Sequence, residues 1–200
     1  MCKLKSGLIL KDRIFLPDYD SHNDMLKELG IKDDFLGASK KFVRVELSPV
    51  DGDPFSDIST WVMKVDQDVR PEWFSEDEWK PKLVEAVKEW AKSHIHIGVV
   101  ELKIESGKSH YLKDCKDVEI VNSTVTARGN STVTARKNST VTAWENSTVT
   151  NDPYLTWYKQ NTLILADNAT FKDNKGRVIY QSGDYKLISV ESGKAIGEAK

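Results

Sequence analysis

Residues 122–150 read NSTVTARG-NSTVTARK-NSTVTAWE-NSTVT, an eight-residue unit that occurs three times in full and a fourth time in part. A short fixed period of this kind is the signature of a solenoid, in which each repeat adds one strand and one corner to a coil. Within each unit Ser, Val and Ala alternate with Thr, Thr and Arg or Trp, which is the period of a strand with two unlike faces. Because each repeat has an even number of residues, corresponding residues of all repeats point to the same side of the sheet. The repeat therefore predicts a thin, parallel β-solenoid with one apolar side.

The inward side is expected to carry Ser, Val and Ala, because the opposite choice would bury two threonines per repeat and expose valine. Two octads per turn predict a two-sided coil of about 16 residues. This coil stacks corner asparagines in two ladders, Asn122 over Asn138 and Asn130 over Asn146. A three-sided coil of about 24 residues is the alternative.

The residues on either side of the array are expected to extend the coil, because roughly three repeats are the minimum for a stable solenoid. Residues 162–166 and 168–174 resemble degenerate octads, with Ile164 and Phe171 in inward positions. A hairpin centred on residues 181–184 is expected to follow. Before the array, Val118 and Ile120 lie on the opposite parity to Ser123, which predicts a corner that shifts the register by one residue.

The N-terminal half has the pattern of a compact α+β domain. It predicts a hairpin over residues 8–16, a short helix over 21–30 and two strands over 42–47 and 61–65. A long helix over 75–94 and a strand over 94–104 that leads into the solenoid are expected to follow. Ser75 begins a capping box, which predicts that the long helix starts there. Because of Pro81, a start of the regular helix near Lys80 is the alternative. We therefore predict an α+β domain over residues 1–100, a β-solenoid with a C-terminal hairpin over 101–190 and a polar tail over 191–200.

Composition excludes several function classes. The chain has 200 residues and a formal net charge of -2, which does not favour nucleic-acid binding. No apolar run approaches the roughly 18 residues of a membrane span, and the first residues lack the apolar core of a signal peptide. Two cysteines, Cys2 and Cys115, make no disulfide framework, as is typical of a reducing compartment. We expect a protein of a bacterial cytoplasm, with the repeated Asn-Ser-Thr sequons unglycosylated.

Two groups of side chains in the N-terminal half are candidate metal ligands. Asp18, Asp20, His22 and Asp24 alternate as in a calcium loop. Such a loop also needs a glycine and a bidentate glutamate that are missing, so a turn that precedes a helix is the simpler interpretation. His94 and His96 share one side of the predicted strand, but no third ligand is near in sequence.

Four tryptophans of the same half, Trp61, Trp73, Trp79 and Trp90, are predicted core residues rather than a ligand pocket. The chain shows no phosphate-binding loop, nucleophile elbow or zinc spacing. We therefore predict no enzyme activity, no cofactor and no metal. A metal- or small-ligand-binding enzyme built on the N-terminal domain is the alternative.

Large aromatic side chains cluster around the end of the array. Trp144 occupies the outward position that Arg128 and Arg136 hold in sister repeats, and residues 152–158 interrupt the array with an aromatic insert. The insert is either a loop that covers the coil or a contact surface. Because solenoids are rigid binding platforms and interface energy concentrates in aromatic and Arg side chains, we predict a protein-interaction module. The predicted binding residues are Trp144, Tyr154, Trp157, Tyr158, Arg128 and Arg136, and a homodimer through the solenoid is also expected.

Two resemblances follow from the octads. The outward Thr-Val-Thr triplets resemble the Thr-x-Thr arrays of insect-type β-solenoid ice-binding proteins, which implies ice binding as a further alternative. A two-sided coil would, however, leave two threonine pairs on each face. In layout, a small α+β head followed by STVTA octads resembles uncharacterised bacterial and prophage proteins. The phage-like context implies one specific version of the interaction hypothesis, an inhibitor of a bacterial defence complex such as an anti-CRISPR protein.

Overall fold

The computed structural model describes residues 4–32, 41–136 and 139–151, and beyond them the backbone of five short strands between residues 162 and 198. The chain divides into two compact units, Met1–Ser93 and His94–Lys200. Within the described residues, the architecture is an α+β unit followed by a parallel β-solenoid, as the sequence predicts.

The first unit is built on an antiparallel sheet with the strand order β2-β1-β3-β4. The strands are β1 (Lys5–Leu10), β2 (Ile14–Phe15), β3 (Phe42–Ser48) and β4 (Val62–Val65), and the helices are α1 (His22–Glu28), α2 (Glu76–His94) and a 3-10 turn at Ile58–Thr60. The predicted hairpin at residues 8–16 is confirmed. The short helix is confirmed as well: Ser21 Oγ accepts a hydrogen bond from the Asp24 N–H, and Gly30 follows with a φ of 65°.

Both faces of this sheet are buried. On one face Leu8, Leu10 and Phe42 pack with Met25 and Leu26 of α1. The alternate residues of β1 and β3, whose side chains point to the other face, are buried too: Ile9, Val43, Val45 and Leu47. On that side the Lys5 Nζ lies 5.3 Å from the centre of the Trp90 ring of α2. Of the four tryptophans predicted to be core residues, Trp61 and Trp79 are buried, and Trp73 and Trp90 are half-buried.

Helix α2 begins at Glu76, so the alternative start near Lys80 is wrong. The Trp79 N–H already donates to the Ser75 carbonyl at 3.0 Å, and Pro81 lies inside the helix. Proline removes one backbone donor near the start of the helix. The first turn carries three acidic residues, which the positive end of the helix dipole favours.

The second unit is a two-sided solenoid whose coils alternate between two sheets. The parallel strands of the larger sheet are, in spatial order, β5 (Ile95–Ile97), β7 (Ser109–Lys113), β9 (Thr124–Arg128), β11 (Thr140–Ala143) and β13 (Thr162–Leu165). The smaller sheet contains β6 (Lys103–Ile104), β8 (Val118–Val121), β10 (Thr132–Arg136), β12 (Thr148–Asn151) and β14 (Thr170–Lys172). Antiparallel strands follow at the far end, β15 (Val178–Tyr180), β16 (Lys186–Ser189) and β17 (Ala195–Glu198).

The pairing register gives the length of each coil. Thr124 pairs with Thr140 and Thr132 pairs with Thr148, a spacing of 16 residues, so the two-sided coil is confirmed and the 24-residue alternative is wrong. The preceding coil is one residue shorter, because Val118 pairs with Val133. The shortening lies at the corner around Asn122, whose φ is 48°, and confirms the predicted register shift.

The inside of the repeat array is the predicted one. The inward side chains are all buried, namely Ser123, Val125, Ala127, Ser131, Val133, Ala135, Ser139, Val141, Ala143, Ser147 and Val149. The serines lie at the corners and satisfy backbone groups there: Ser139 Oγ donates to the Arg136 carbonyl at 2.6 Å and accepts from the Ser123 N–H at 3.4 Å. A buried hydroxyl is therefore tolerated once per octad, because it is hydrogen-bonded.

Predictions at both ends of the solenoid need correction. The single strand expected over residues 94–104 is instead β5 and β6, which lie in different sheets because Gly98 and Glu101, with φ of 65° and 61°, turn the chain between them. Ile164 pairs with the outward Thr142 rather than with an inward residue, so its predicted inward position is wrong. The coil spacing rises to 22 residues before β13, but 22 is even like 16, so the octad parity continues and Ile164 keeps an outward register position.

The C-terminal hairpin is present, but not around residues 181–184. Strands β15 and β16, which flank those residues, lie in different sheets. The antiparallel neighbours are β14 with β15 and β16 with β17. Phe171 pairs with Val149 and so takes an inward register position, as predicted. Strand β17 falls within residues 191–200, which the sequence pattern assigns to a polar tail.

Candidate functional site

The outer face of the larger sheet presents two columns of side chains across β5, β7, β9 and β11. The pairing register aligns Ile95, Tyr111, Thr126 and Thr142 in the first column and Ile97, Lys113 and Arg128 in the second. Trp144 continues the second column, because its N–H donates to the Ala127 carbonyl at 2.9 Å. We call this surface the Arg128–Trp144 face. Ile97 is exposed, and the other members are half-exposed.

Arg128 and Trp144 are neighbours in adjacent coils. The Cζ atom of Arg128 lies 5.8 Å from the centre of the Trp144 ring, within the range of a cation–π interaction. The sequence-based prediction that a 16-residue coil brings these two side chains to one face is therefore confirmed. The two half-exposed side chains therefore present a cation and an aromatic ring side by side on the outer surface of the sheet.

The corner that follows these residues is cross-linked by hydrogen bonds between coils. The Gly129 N–H donates to Glu145 Oε2 at 2.7 Å, and the Asn130 N–H donates to Asp114 Oδ1 at 2.9 Å. Asn146 Nδ2 donates to Asn130 Oδ1 at 3.5 Å, which confirms one of the two predicted asparagine ladders. The other ladder includes Asn138, which lies outside the described residues. These contacts hold the strand ends that carry Arg128 and Trp144.

Arg136 lies on the smaller sheet, away from the other two predicted side chains. Its Nη2 atom is 3.1 Å from Glu119 Oε2, and the same carboxylate group approaches Lys103 Nζ at 3.8 Å. Arg136 thus forms an ion pair on its own face, whereas the carboxylates next to Arg128 are those of Asp114 and Glu145 at the following corner. The two arginines are not equivalent, as the coil length predicts.

The threonine pairs are divided between the two sheets. Thr124 with Thr126 and Thr140 with Thr142 lie on the larger sheet, and the other two pairs lie on the smaller sheet. Tyr111 continues one threonine column on the larger sheet and Glu119 continues one on the smaller sheet. Each face therefore carries the two threonine pairs that the two-sided coil predicts, in columns that other residue types interrupt.

The aromatic insert joins β12 to β13. Tyr154, Trp157 and Tyr158 lie outside the described residues, so their binding role stays a prediction. The described strands on either side show where the insert leaves and rejoins the coil: it follows the end of β12 and precedes the start of β13. The start of β13 lies at one end of the larger sheet's parallel strands. Trp144, which follows the end of β11, lies at the opposite end.

The four residues that resemble a calcium loop do not converge. Asp20 Oδ1 is 2.8 Å from the buried Lys5 Nζ and accepts a hydrogen bond from the Ser6 N–H. Asp24 lies in the first turn of α1. His22 instead faces Glu46 and Asp66, two carboxylates that sequence analysis did not connect with it. The alternation of charged and apolar residues along β3 was the available signal, since it places Arg44 and Glu46 on one sheet face.

His94 and His96 meet a third histidine, His110, in the first two coils of the solenoid. The ring of His110 stacks on both, with centroid distances of 5.2 Å to His94 and 5.6 Å to His96. His96 Nε2 lies 3.3 Å from His110 Nδ1, and Ser106 Oγ lies 2.8 Å from His110 Nε2. His94 and His110 take inward positions, so the cluster forms one end of the solenoid interior. Sequence analysis missed His110, because only the 16-residue spacing of the first coil reveals the contact.

Comparison with protein-family models, with curated proteins and with solved structures finds no significant match to this chain. Among the described residues, no helix is both long enough and apolar enough to cross a membrane.

Proposed function

We propose that this protein is a non-enzymatic interaction module that binds a protein partner through the Arg128–Trp144 face of its solenoid. The observation that carries the proposal is the outward Trp144 stacked with Arg128 on a rigid strand end. Tryptophan and arginine dominate the energy of protein interfaces, because they bury large areas at little conformational cost. Repeat surfaces supply such side chains on a platform that does not have to order on binding.

The side chains of the Arg128–Trp144 face indicate the kind of partner. The face carries Lys113 and Arg128, and the carboxylates of Asp114 and Glu145 lie at the corner next to Arg128. Ile97, with 57% of its surface exposed, and Tyr111 provide apolar area on the same face. We therefore propose a partner whose binding surface has an apolar centre and a polar, charged rim, which is the usual composition of a protein interface.

The more specific form of the proposal places the protein in a bacterial cytoplasm as a phage-encoded inhibitor of a defence complex, of the anti-CRISPR type. It is supported by the resemblance of the layout, an α+β head followed by STVTA octads, to prophage proteins. Self-association through the solenoid is part of the same proposal, since an exposed apolar and aromatic sheet face is suited to pair with a second copy.

Affinity capture from the native bacterial host with two matched variants tests the proposal. Arg128→Ala removes one of the two cations of the Arg128–Trp144 face, and Arg136→Ala removes one from the opposite sheet. We expect Arg128→Ala to lose the captured partner and Arg136→Ala to retain it, with both variants folded by circular dichroism. Capture of no partner by the wild type, together with a monomer in sedimentation, would contradict the proposed function. Equal capture by both variants would remove this face from the binding site.

A further inference from the structure

A histidine and two carboxylates from three separate segments meet on the first unit. His22 begins α1, Glu46 lies on β3 and Asp66 directly follows β4. One ligand-type atom from each of the three lies within 4.8 Å of the others. Glu46 is buried, with 6% of its surface exposed, whereas Asp66 is 43% exposed at its side chain. One carboxylate of the group, that of Glu46, is therefore buried, and the other, that of Asp66, is accessible to solvent.

The His22 ring is oriented as a metal ligand requires. Its Nε2 atom lies 3.2 Å from the Val45 carbonyl oxygen, which can only accept a hydrogen bond, so Nε2 carries the proton. The neutral ring with its proton on Nε2 has a lone pair on Nδ1, the atom that lies 3.5 Å from Asp66 Oδ2. A backbone carbonyl that receives the other ring N–H is the usual second partner of a metal-binding histidine.

The spacing of the ligand atoms also fits an ion. Metal–ligand bonds of about 2.1 Å in a tetrahedron place neighbouring ligand atoms about 3.4 Å apart, close to the observed Nδ1–Oδ2 separation. Two ligands of one ion lie at most about 4.2 Å apart. The ligand atoms lie within 4.8 Å of one another, so bringing the whole group to the tetrahedral spacing needs a relative side-chain movement of up to about 1.4 Å.

A cavity of 430 Å³ opens onto the group and provides an entry path. Ser21, His22, Asn23, Arg44 and Asp66 line it. Two cations belong to the surroundings of the two carboxylates: Arg44 lines the cavity, and Lys64 pairs with Glu46 on the neighbouring strand. An ion bound by the three side chains would have one coordination position facing the cavity.

We propose that His22, Glu46 and Asp66 bind a divalent transition-metal ion, with Zn²⁺ as the best match to one imidazole and two carboxylates. Three protein ligands leave a fourth position for water or for a group of a bound molecule. The site lies in the first unit and does not depend on the proposed interaction through the solenoid.

Calorimetric titration of the chelator-treated full-length protein with ZnCl₂ tests the site. We expect one ion per chain with micromolar or tighter affinity, and at least tenfold weaker binding after His22→Gln or Asp66→Asn. Asp68→Asn, which removes an exposed carboxylate two residues from Asp66, is the matched control and should bind as the wild type does. Wild-type protein that takes up no Zn²⁺, or equal losses in Asp66→Asn and Asp68→Asn, would overturn the proposal.

The second histidine cluster requires its own control. The chain has four histidines, and the other three are His94, His96 and His110 of the solenoid. His96→Gln should leave Zn²⁺ affinity unchanged; loss of binding in this variant would place the ion in the solenoid and refute the proposed site. The imidazole ¹⁵N resonances of His22 are identified as those that disappear in His22→Gln. In the wild type, these resonances should shift when Zn²⁺ is added. Shifts confined to the other three histidines would refute the proposal without relying on the affinity of a variant.

Discussion

Arg128 and Trp144 stand in adjacent coils of the solenoid, with the Arg128 Cζ 5.8 Å from the centre of the Trp144 ring. Arg128 is the last residue of β9 and Trp144 directly follows β11, and the backbone ladder continues between them through the Trp144 N–H and the Ala127 carbonyl. The pair projects from the sheet instead of filling the core, since the inward positions beside it belong to Ala127 and Ala143. This geometry makes the contribution of Trp144 to stability separable from its contribution to binding.

Replacing Trp144 with Ala is expected to weaken partner binding or dimerisation by about 2 kcal/mol or more, because truncated interface tryptophans typically cost this much. The melting temperature should change little, because Trp144 lies outside the solenoid core. Sedimentation and pull-down measure association, and a thermal melt of the same variant measures stability. A large fall in melting temperature would show that Trp144 is internal packing, and unchanged association would direct attention to the first unit.

An aspartate at Val133 should prevent soluble folding, whereas one at Thr132 should be tolerated. Val133 is buried between coils and Thr132 points outward. A buried unpaired carboxylate costs at least about 3 kcal/mol, and an exposed one on a strand costs far less. Soluble yield and urea unfolding of Val133→Asp and Thr132→Asp measure the difference. Equal tolerance of both changes would contradict the assignment of the inner and outer faces.

Gly129→Ala should destabilise the solenoid more than Gly98→Ala. Both glycines have positive φ, 67° and 65°, so both variants incur backbone strain of about 1 kcal/mol. A Cβ at Gly129 would lie only 2.2 Å from Asp114 Oδ1, while a Cβ at Gly98 has no heavy atom within 4 Å. Asp114 would have to release the Asn130 N–H to relieve this clash. We expect an extra loss of about 1 kcal/mol in the free energy of unfolding, measured in urea; identical midpoints for the two variants would show that the corner contact is dispensable.

Limited proteolysis should cut residues 49–57 or 152–160 before it cuts residues 95–115. The first segment is a surface turn in which Val50 is exposed. The last segment is tied to the next coil by backbone hydrogen bonds, among them Gly98 N–H to the Lys113 carbonyl and Lys116 N–H to the Val99 carbonyl, both 2.9 Å. Backbone held in this way resists the local unfolding that proteases need. Mass spectrometry of the first fragments identifies the cuts, and early cleavage in 95–115 that releases two stable halves would contradict the prediction.

The octads determined the solenoid by themselves, because a strand's inward and outward sides follow directly from a period of two and the repeat keeps that parity. The inward valines and the shifted corner before Ser123 follow from counting residues, and both are present. Counting left coils of 16 and of 24 residues open; strand pairing decided for 16 and with it for the separation of Arg128 from Arg136. The predicted inward position of Ile164 is wrong because it departed from the residue count: Ile164 has the same parity as the outward Thr142, and the 22-residue coil preserves that parity.

Tertiary structure alone decided which distant polar side chains meet. Glu46 and Asp66 approach His22 because α1 packs on the face of the sheet that carries Arg44 and Glu46, and no local pattern encodes which helix covers which strand. His110 reaches His94 only through the pairing of the first two coils, which contain no octad. Periodic backbone hydrogen bonding repeats with the sequence and can be read from it, whereas contacts between non-repeating segments depend on packing that is specified only when the whole chain has folded.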